Sequence, residues 1–149
     1  MKLGDIIELK QDGKKVYCQY LKEAKNDNTL EGIRLFYDVY TNRPENIESV
    51  IKDDFLFQTF PLKYGIQDDG VNIVGNVPLP KDLVLPKFFR RKNAFGPGWR
   101  ILFKGGGSEV VQELNEEQKK YPPYGHWNIP KIFENLENGW RLENWTIEE

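Results

Sequence analysis

The sequence has very little histidine and cysteine, the two residue types that metal centres and many hydrolases need. It contains one of each, His126 and Cys18. Zinc centres built from these residues take three or four ligands, so that class of site is excluded, and a single thiol cannot form an internal disulfide. A hydrolase with a histidine base would have to use His126, and neither Ser49, Ser108 nor Cys18 stands in a recognisable nucleophile motif. We therefore predict that the protein is not a hydrolase of this kind and that it needs no metal or other cofactor.

Long hydrophobic runs are missing as well. The longest, such as Phe55-Leu56-Phe57, span a few residues, whereas a helix that crosses a membrane needs about 20. Of the 149 residues, 39% are hydrophobic and 30% are charged, a balance typical of a soluble globular protein, and this length predicts a single domain, 1–149. With one thiol and no signal-peptide pattern, we expect a cytoplasmic protein without membrane contact.

Alternation of apolar and polar residues predicts a chain rich in β-strands. Two strands, 4–10 and 16–21, flank an Asp12-Gly13 turn and form a hairpin, and a third strand follows at 33–40. Turn residues and prolines separate the later segments of the same kind. These later predicted strands are 55–62, 71–77, 99–103 and 140–145.

Capping residues predict the helices. Asn46 can cap a short helix over 47–53, and Asn128 begins a second short helix that Gly139 ends. Residues 110–120 combine strand and helix signals, which favours a transition from strand to helix. The expected fold class is mainly β (α+β), with a strongly bent antiparallel sheet or partial barrel and two or three short helices.

Charge is arranged in blocks that the net charge of −2 conceals. Residues 81–104 carry a net +6, between blocks of −4 over 44–80 and −5 over 105–149. Blocks of one sign tend to form surface patches, and an acidic patch can cover a basic site on a partner and accelerate association by steering. A solvated face is the alternative interpretation of the same residues. The acidic residues predicted to face a partner are Asp53, Asp54, Asp68, Asp69, Glu113 and Glu117.

The segment 87–100 interleaves cations with aromatic residues, as proteins do where they stack the bases of a single strand and contact its phosphates. It predicts an alternative function as a small nucleic-acid-binding module. The residues that would make contact are Phe89, Arg90, Arg91 and Lys92. The acidic overall charge favours a structural interpretation instead, with Phe88, Phe89 and Phe95 in the core and the cations in solvent, so nucleic acid is not the expected partner.

All four tryptophans lie in the last third of the chain. Tryptophan buries a large area and needs a partner for its indole N–H, so a core position is expected, with an exposed interaction site as the alternative. Cys18 falls in mid-strand, where a buried small apolar residue is expected, and His126 is expected to hydrogen-bond to a neighbour rather than to act as a base. The tryptophans are Trp99, Trp127, Trp140 and Trp145.

Several short motifs occur in order along about the first two-thirds of the chain. They are Gly4-Asp5-Ile6-Ile7-Glu8-Leu9, Asp12-Gly13-Lys14 followed by Val16-Tyr17-Cys18-Gln19-Tyr20, Phe36-Tyr37-Asp38, Pro86-Lys87-Phe88-Phe89-Arg90 and Gly98-Trp99. In this order they resemble the immunity protein 26 family, a mostly β set of bacterial proteins encoded beside polymorphic toxins. The resemblance implies a protein that acts by binding and is not an enzyme, with no catalytic residues to carry over. Cys18 and the tryptophan-rich tail have no counterpart in it.

Three functions of different classes follow from these patterns. The leading expectation is a cytoplasmic bacterial immunity protein that binds a cognate protein toxin and occludes the active site of that toxin. The alternative is the nucleic-acid-binding module built on 87–100, and a small enzyme ranks third.

Overall fold

A computed structural model of the chain describes residues 2–22, 31–60, 70–125 and 127–146. The first five strands along the chain form one antiparallel sheet. They are β1 (Asp5–Gln11), β2 (Lys14–Lys22), β3 (Glu31–Phe36), β4 (Phe55–Phe60) and β5 (Val71–Asn76). Their order across the sheet is β4-β3-β2-β1-β5. Each of the first three strands therefore pairs with the next one along the chain, and β5 pairs with β1.

The hairpin between β1 and β2 turns at Asp12 and Gly13, as predicted. These residues have φ angles of 50° and 78°, and a tight two-residue hairpin needs positive φ at both central positions. Aspartate tolerates this conformation better than most residues, and glycine has no Cβ to oppose it. The turn sets the register of the two strands, with Leu9 opposite Val16.

One face of this first sheet packs against the helix α1 (Ile129–Glu137). Alternation along β1 directs Ile7 and Leu9 to this face, where both are fully buried with Ile132 of the helix. Cys18 lies in the same core and is also fully buried, which confirms the expectation of a small apolar residue there. Burial raises the pKa of this thiol, so it remains protonated at neutral pH.

Helix α1 begins where the capping pattern predicts. The side chain of Asn128 accepts a hydrogen bond of 2.9 Å from the backbone N–H of Lys131, and Pro130 fits the first turn, where its missing N–H has no cost. Gly139, with φ 78°, follows the end of the helix. Helix α1 has nine residues, and within the described ranges no helix is both long and apolar enough to cross a bilayer.

The opposite face of the first sheet is covered by a 3₁₀ helix, Ile47–Val50. Its buried Val50 packs with Ile6 and Tyr17 of the sheet. Asn46 caps it as predicted, by accepting a hydrogen bond from the backbone N–H two residues later. The predicted helix over 47–53 is therefore reduced to a single 3₁₀ turn.

Three later strands form a second antiparallel sheet. They are β6 (Phe88–Lys92), β7 (Trp99–Phe103) and β8 (Ser108–Val111), in the order β6-β7-β8. The fold is mainly β, as predicted, but its strands divide between two sheets instead of forming one bent sheet. Pro78, Pro80 and Pro86 lie between β5 and β6, and because proline cannot donate to a ladder, strand pairing is interrupted there.

The stretch 140–145 does not form the predicted strand, and its residues Leu142–Asn144 form a 3₁₀ helix. The edge of β6 is paired with a different segment: the backbone N–H of Arg90 donates to the carbonyl of Pro122 at 3.0 Å, and its carbonyl accepts from the N–H of Tyr124 at 2.8 Å. The alternating pattern of 140–145 predicts the apolar face that a strand would have, but a strand also needs a neighbouring strand with which to hydrogen-bond, and this segment has none in the described part of the chain. The predicted change from strand to helix within 110–120 is present, because β8 ends at Val111 and a 3₁₀ helix follows at Gln118–Lys120.

Candidate functional site

Strand β6 separates the three adjacent cations of the basic segment. Side chains alternate along a strand, so Arg90 and Lys92 point to one face and Arg91 to the other. Arg90 pairs with Ile101 across the sheet and is 1% exposed, whereas Arg91 is exposed. The three cations therefore do not form one continuous basic stripe.

Arg90 is the centre of a buried polar contact between the second sheet and the C-terminal tail, by which we mean residues 138–146, after helix α1. Its Nε donates to the carbonyl of Tyr121 at 3.0 Å, and its Nη2 donates to the carbonyls of Lys119 at 3.1 Å and Leu142 at 3.4 Å. Its guanidinium carbon lies 4.7 Å from the ring centre of Trp99 and 4.3 Å from that of Trp145. These contacts join segments far apart in the chain.

The burial of Arg90 corrects one sequence prediction. Burial lowers the pKa of this guanidinium to about 10, which still leaves it charged at neutral pH. Its Nε and Nη2 donate to backbone carbonyls and the side chain is 1% exposed, so the prediction that Arg90 contacts phosphate is wrong. With Arg91 and Lys92 on opposite faces, the nucleic-acid interpretation of 87–100 loses the arrangement on which it depended.

The loop between β6 and β7, residues 93–98, is held by Asn93. The buried side chain of Asn93 donates from Nδ2 to the carbonyl of Pro97 at 3.2 Å, and its Oδ1 accepts from the backbone N–H of Phe95 at 3.4 Å. The backbone N–H of Asn93 also donates to the carbonyl of Gly98 at 3.0 Å. Gly98 has φ 90°, and a Cβ there would lie 2.4 Å from the carbonyl oxygen of Val111, so only glycine fits. We call residues 93–98 the Phe95 loop.

Phe95 projects from this loop into solvent and is 91% exposed. The expectation that Phe95 lies in the core is therefore wrong. Phe88 is only partly covered, by a stacked contact with Tyr121 and an edge contact with Phe103. Binding residues are often carried on loops that a rigid scaffold positions, and an exposed aromatic side chain on a loop held by hydrogen bonds is suited to this role.

The outward face of the second sheet carries further residues of the kind that dominate protein interfaces. Phe89 makes an edge contact with Tyr124 at 6.4 Å between ring centres, and the guanidinium of Arg91 lies 5.4 Å from the centre of the Tyr124 ring. Arg100 and Val110 are cross-strand partners on the same face. Tyrosine and arginine are enriched at interaction hot spots, and the two arginines make this face basic. We call these five residues the outer face.

The four tryptophans meet where the second sheet, helix α1 and the C-terminal tail come together. Trp99 and Trp145 lie 4.9 Å apart between ring centres, Trp145 and Trp140 5.8 Å, and Trp140 and Trp127 4.7 Å. Trp99 is 6% exposed, which confirms its core position, whereas the other three are only partly buried. Together with Lys92 and Lys131, they line a cleft of about 310 Å³, which we call the tryptophan cleft.

Four of the six acidic residues predicted to face a partner lie within the part of the chain that the structure describes. Asp53 and Asp54 are exposed after the Ile47–Val50 turn, and Asp54 pairs with Arg141 of the tail. Glu113 is exposed beyond β8, and the exposed Glu117 lies 4.0 Å from the ammonium of Lys120. The remaining two, Asp68 and Asp69, lie outside the described residues, as does His126. Among the residues that are described, no group of three carboxylate, histidine or cysteine side chains could hold a metal ion.

Sequence reasoning did not identify Phe95 and Tyr124 as candidate contacts. The signal for Phe95 was the run Gly96-Pro97-Gly98 directly after it, since such residues form an exposed turn and an aromatic side chain next to a turn has few core partners. Tyr124 had no comparable signal, because its position on the outer face depends on how residues 121–124 pair with β6.

Comparison with known proteins does not identify the chain by similarity: no family model, no curated protein and no solved structure matches it.

Proposed function

We propose that this protein is a bacterial immunity protein, which binds a cognate polymorphic toxin and blocks the active site of that toxin with the Phe95 loop. The observation that carries the proposal is Phe95 itself, 91% exposed at the tip of a loop that Asn93 holds in one conformation. A protruding loop of this kind can enter a concave active site, whereas a flat surface can only cover its rim.

The geometry supports tight binding for two physical reasons. A loop already held by hydrogen bonds loses little conformational freedom on binding, so more of the contact energy becomes affinity. A buried aromatic anchor surrounded by less important contacts is the usual composition of an interface hot spot. The outer face, with Arg91, Arg100 and Tyr124, supplies such surrounding contacts.

The test is co-expression of this protein with the toxin encoded beside it, followed by affinity measurement with the purified pair. Replacing Phe95 with alanine is expected to weaken binding about thirtyfold or more, because a central aromatic anchor contributes roughly 2 kcal/mol or more. The thermal unfolding of the variant should match that of the parent, since Phe95 has almost no contacts to lose.

The matched control is Leu3→Ala, which removes a 62% exposed apolar side chain next to the first sheet and should leave toxin affinity unchanged. If the parent protein neither rescues growth nor binds the adjacent toxin, the immunity function is wrong. If the parent binds and Phe95→Ala binds equally well, the function stands and Phe95 is not the anchor.

We also propose that the acidic residues steer the approach to the toxin. Asp53, Asp54, Asp68, Asp69, Glu113 and Glu117 would act over a distance, because rim charges mainly change the association rate and contribute modestly to affinity. The double variant Glu113→Lys with Glu117→Lys should associate about tenfold more slowly at low salt, and the difference should shrink at high salt. Stopped-flow measurement of association at two salt concentrations checks this. An association rate equal to that of the parent at low salt would remove the steering role of these two residues.

A further inference from the structure

We propose that the tryptophan cleft is a binding site for a small anionic ligand that contains a planar ring, of the nucleoside monophosphate class. Binding of such a ligand would be a second function, independent of the contact between Phe95 and a toxin. The proposal depends on three properties of the cleft: its aromatic lining, its charge and its size.

The aromatic lining suits a flat ring. Trp127, Trp140 and Trp145 are partly buried and line the cleft together with the buried Trp99. Each partly buried indole is already in contact with another tryptophan, at 4.7 to 5.8 Å between ring centres, so little side-chain freedom remains to be lost when a ligand binds. Tryptophan has only two side-chain torsions and stacks with any flat ring system.

The charge of the cleft selects an anion. Lys92 and Lys131 line it, and the buried guanidinium of Arg90 lies 4.3 Å from the ring centre of Trp145, one of its walls. No carboxylate occurs among the described residues that line the cleft. Lys131 does have a carboxylate nearby, that of Glu134 at 3.6 Å, on the exposed side of helix α1. Without the three cations an aromatic box would suit a methylated ammonium group, but the positive charge around this cleft favours an anion over a cation.

Size and polarity narrow the ligand class further. The cleft volume of about 310 Å³ lies near the lower limit of small-molecule sites, which span roughly 300–1,000 Å³. One ring system with one phosphate fits this volume better than a dinucleotide. Asn135 and Asn144 also line the cleft, and their amides can both donate to and accept from the edge of a nucleobase or the hydroxyls of a ribose.

Titration of the full chain with adenosine 5′-monophosphate, followed by intrinsic tryptophan fluorescence and by calorimetry, tests the proposal. All four tryptophans of the chain line the cleft, so stacking of the base should change the fluorescence directly. We expect saturable binding that weakens as salt is added. Adenosine should bind at least about tenfold more weakly because it lacks the phosphate, and inorganic phosphate should leave the fluorescence unchanged.

The variant Lys131→Glu should weaken binding of adenosine 5′-monophosphate about tenfold or more and leave the weaker binding of adenosine nearly unchanged. Its matched control is Lys52→Glu, which makes the same charge change at an exposed lysine that does not line the cleft. Both substitutions are at exposed positions, and equal thermal unfolding temperatures would confirm that both variants fold.

Four results would overturn the proposal. The first is the absence of saturable binding by adenosine 5′-monophosphate. The second is equal affinity for adenosine and its monophosphate, and the third is equal loss of affinity in the two lysine variants, because in either case the cations would not select the ligand. The fourth is binding of a single-stranded oligonucleotide without binding of the mononucleotide, which would assign the cleft to nucleic acid.

Discussion

Replacing Arg90 with alanine is expected to lower the free energy of unfolding by about 3–5 kcal/mol, one of the largest effects of any single substitution in this chain. The change removes a side chain that is 1% exposed and leaves a cavity between the second sheet and the C-terminal tail. It also takes the donors away from the carbonyls of Tyr121, Lys119 and Leu142. Buried carbonyls without donors are costly, and the contacts of the guanidinium with two indole rings are lost as well.

Urea unfolding followed by tryptophan fluorescence measures this effect. Arg91→Ala is the matched control, since it changes the same residue type one position along β6, and its exposed position predicts a change within about 0.5 kcal/mol. Arg90→Lys keeps the charge but presents its donors from a single nitrogen, without the planar guanidinium that reaches the three carbonyls, so it should recover only part of the lost stability. A loss below about 1 kcal/mol in Arg90→Ala would show that the tail packs on the second sheet without the guanidinium.

The second large effect is expected at Glu8, a fully buried carboxylate on the first sheet. Tyr17 donates its hydroxyl proton to Oε2 of Glu8 at 2.8 Å, and Arg43 donates from Nε to Oε2 at 2.8 Å and from Nη2 to Oε1 at 3.0 Å. Glu8→Gln keeps the shape of the side chain but removes its negative charge. It also replaces one carboxylate oxygen with an NH₂ group, which is a donor and cannot accept from Arg43. We expect the free energy of unfolding to fall by about 2–3 kcal/mol at pH 7, the range for hydrogen bonds to a charged group.

The pH dependence of stability distinguishes this ion pair from a merely polar contact. The hydrogen bonds from Arg43 hold the pKa of Glu8 below its ordinary value of 4.5, although burial alone would raise it. A carboxylate with a lowered pKa stabilises the fold above its unfolded pKa, and this contribution is lost as the pH falls through the folded pKa. The difference in stability between the parent and Glu8→Gln should therefore be constant from pH 7 to about 5 and shrink below about 4.5.

Urea unfolding at a series of pH values provides the measurement, and Glu45→Gln, at an exposed glutamate, is the matched control. A stability difference between the parent and Glu8→Gln that stays constant down to pH 3 would contradict the role assigned to the Glu8 charge. A similar pH dependence in the Glu45 variant would indicate a general effect of charge on stability.

The elements that could be predicted from the sequence are those whose signals are local. The Asp12-Gly13 turn and the alternation on both sides of it define the first hairpin, and Asn128 with the proline after it defines the start of helix α1. Asn46 marked the start of a helical turn correctly, but its length was overestimated, because the three residues after Val50 make no further turn. In each of these cases the residues that form the structure are neighbours in the chain, so short-range propensities are sufficient.

The candidate site could not be predicted in the same way. Phe95, Arg90 and Arg91 lie within six positions of one another, yet one is exposed in a loop, one is buried and one lies on the outer face. Composition treats the two arginines alike. Alternation along β6 places them on opposite faces, and the segments that pack over one face decide that Arg90 is the buried one. The alternation of 140–145 resembled that of a strand, but residues 121–124 occupy the pairing edge of β6. The tail packs instead through Trp145, which contacts Trp99 and Trp140.

The sequence by itself determined the fold class, the turns, the start of helix α1, the buried Cys18 and the exclusion of zinc chemistry built on histidine and cysteine. These follow from local propensities and from residue counts, which need no knowledge of the contacts between distant segments. Only the tertiary structure decided that the strands divide into two sheets, that Arg90 is buried while Arg91 is not, and that four separated tryptophans line one cleft. The physical reason is that burial depends on which distant segments pack together, and residues 90, 99 and 145 meet only after the tail has folded onto the second sheet.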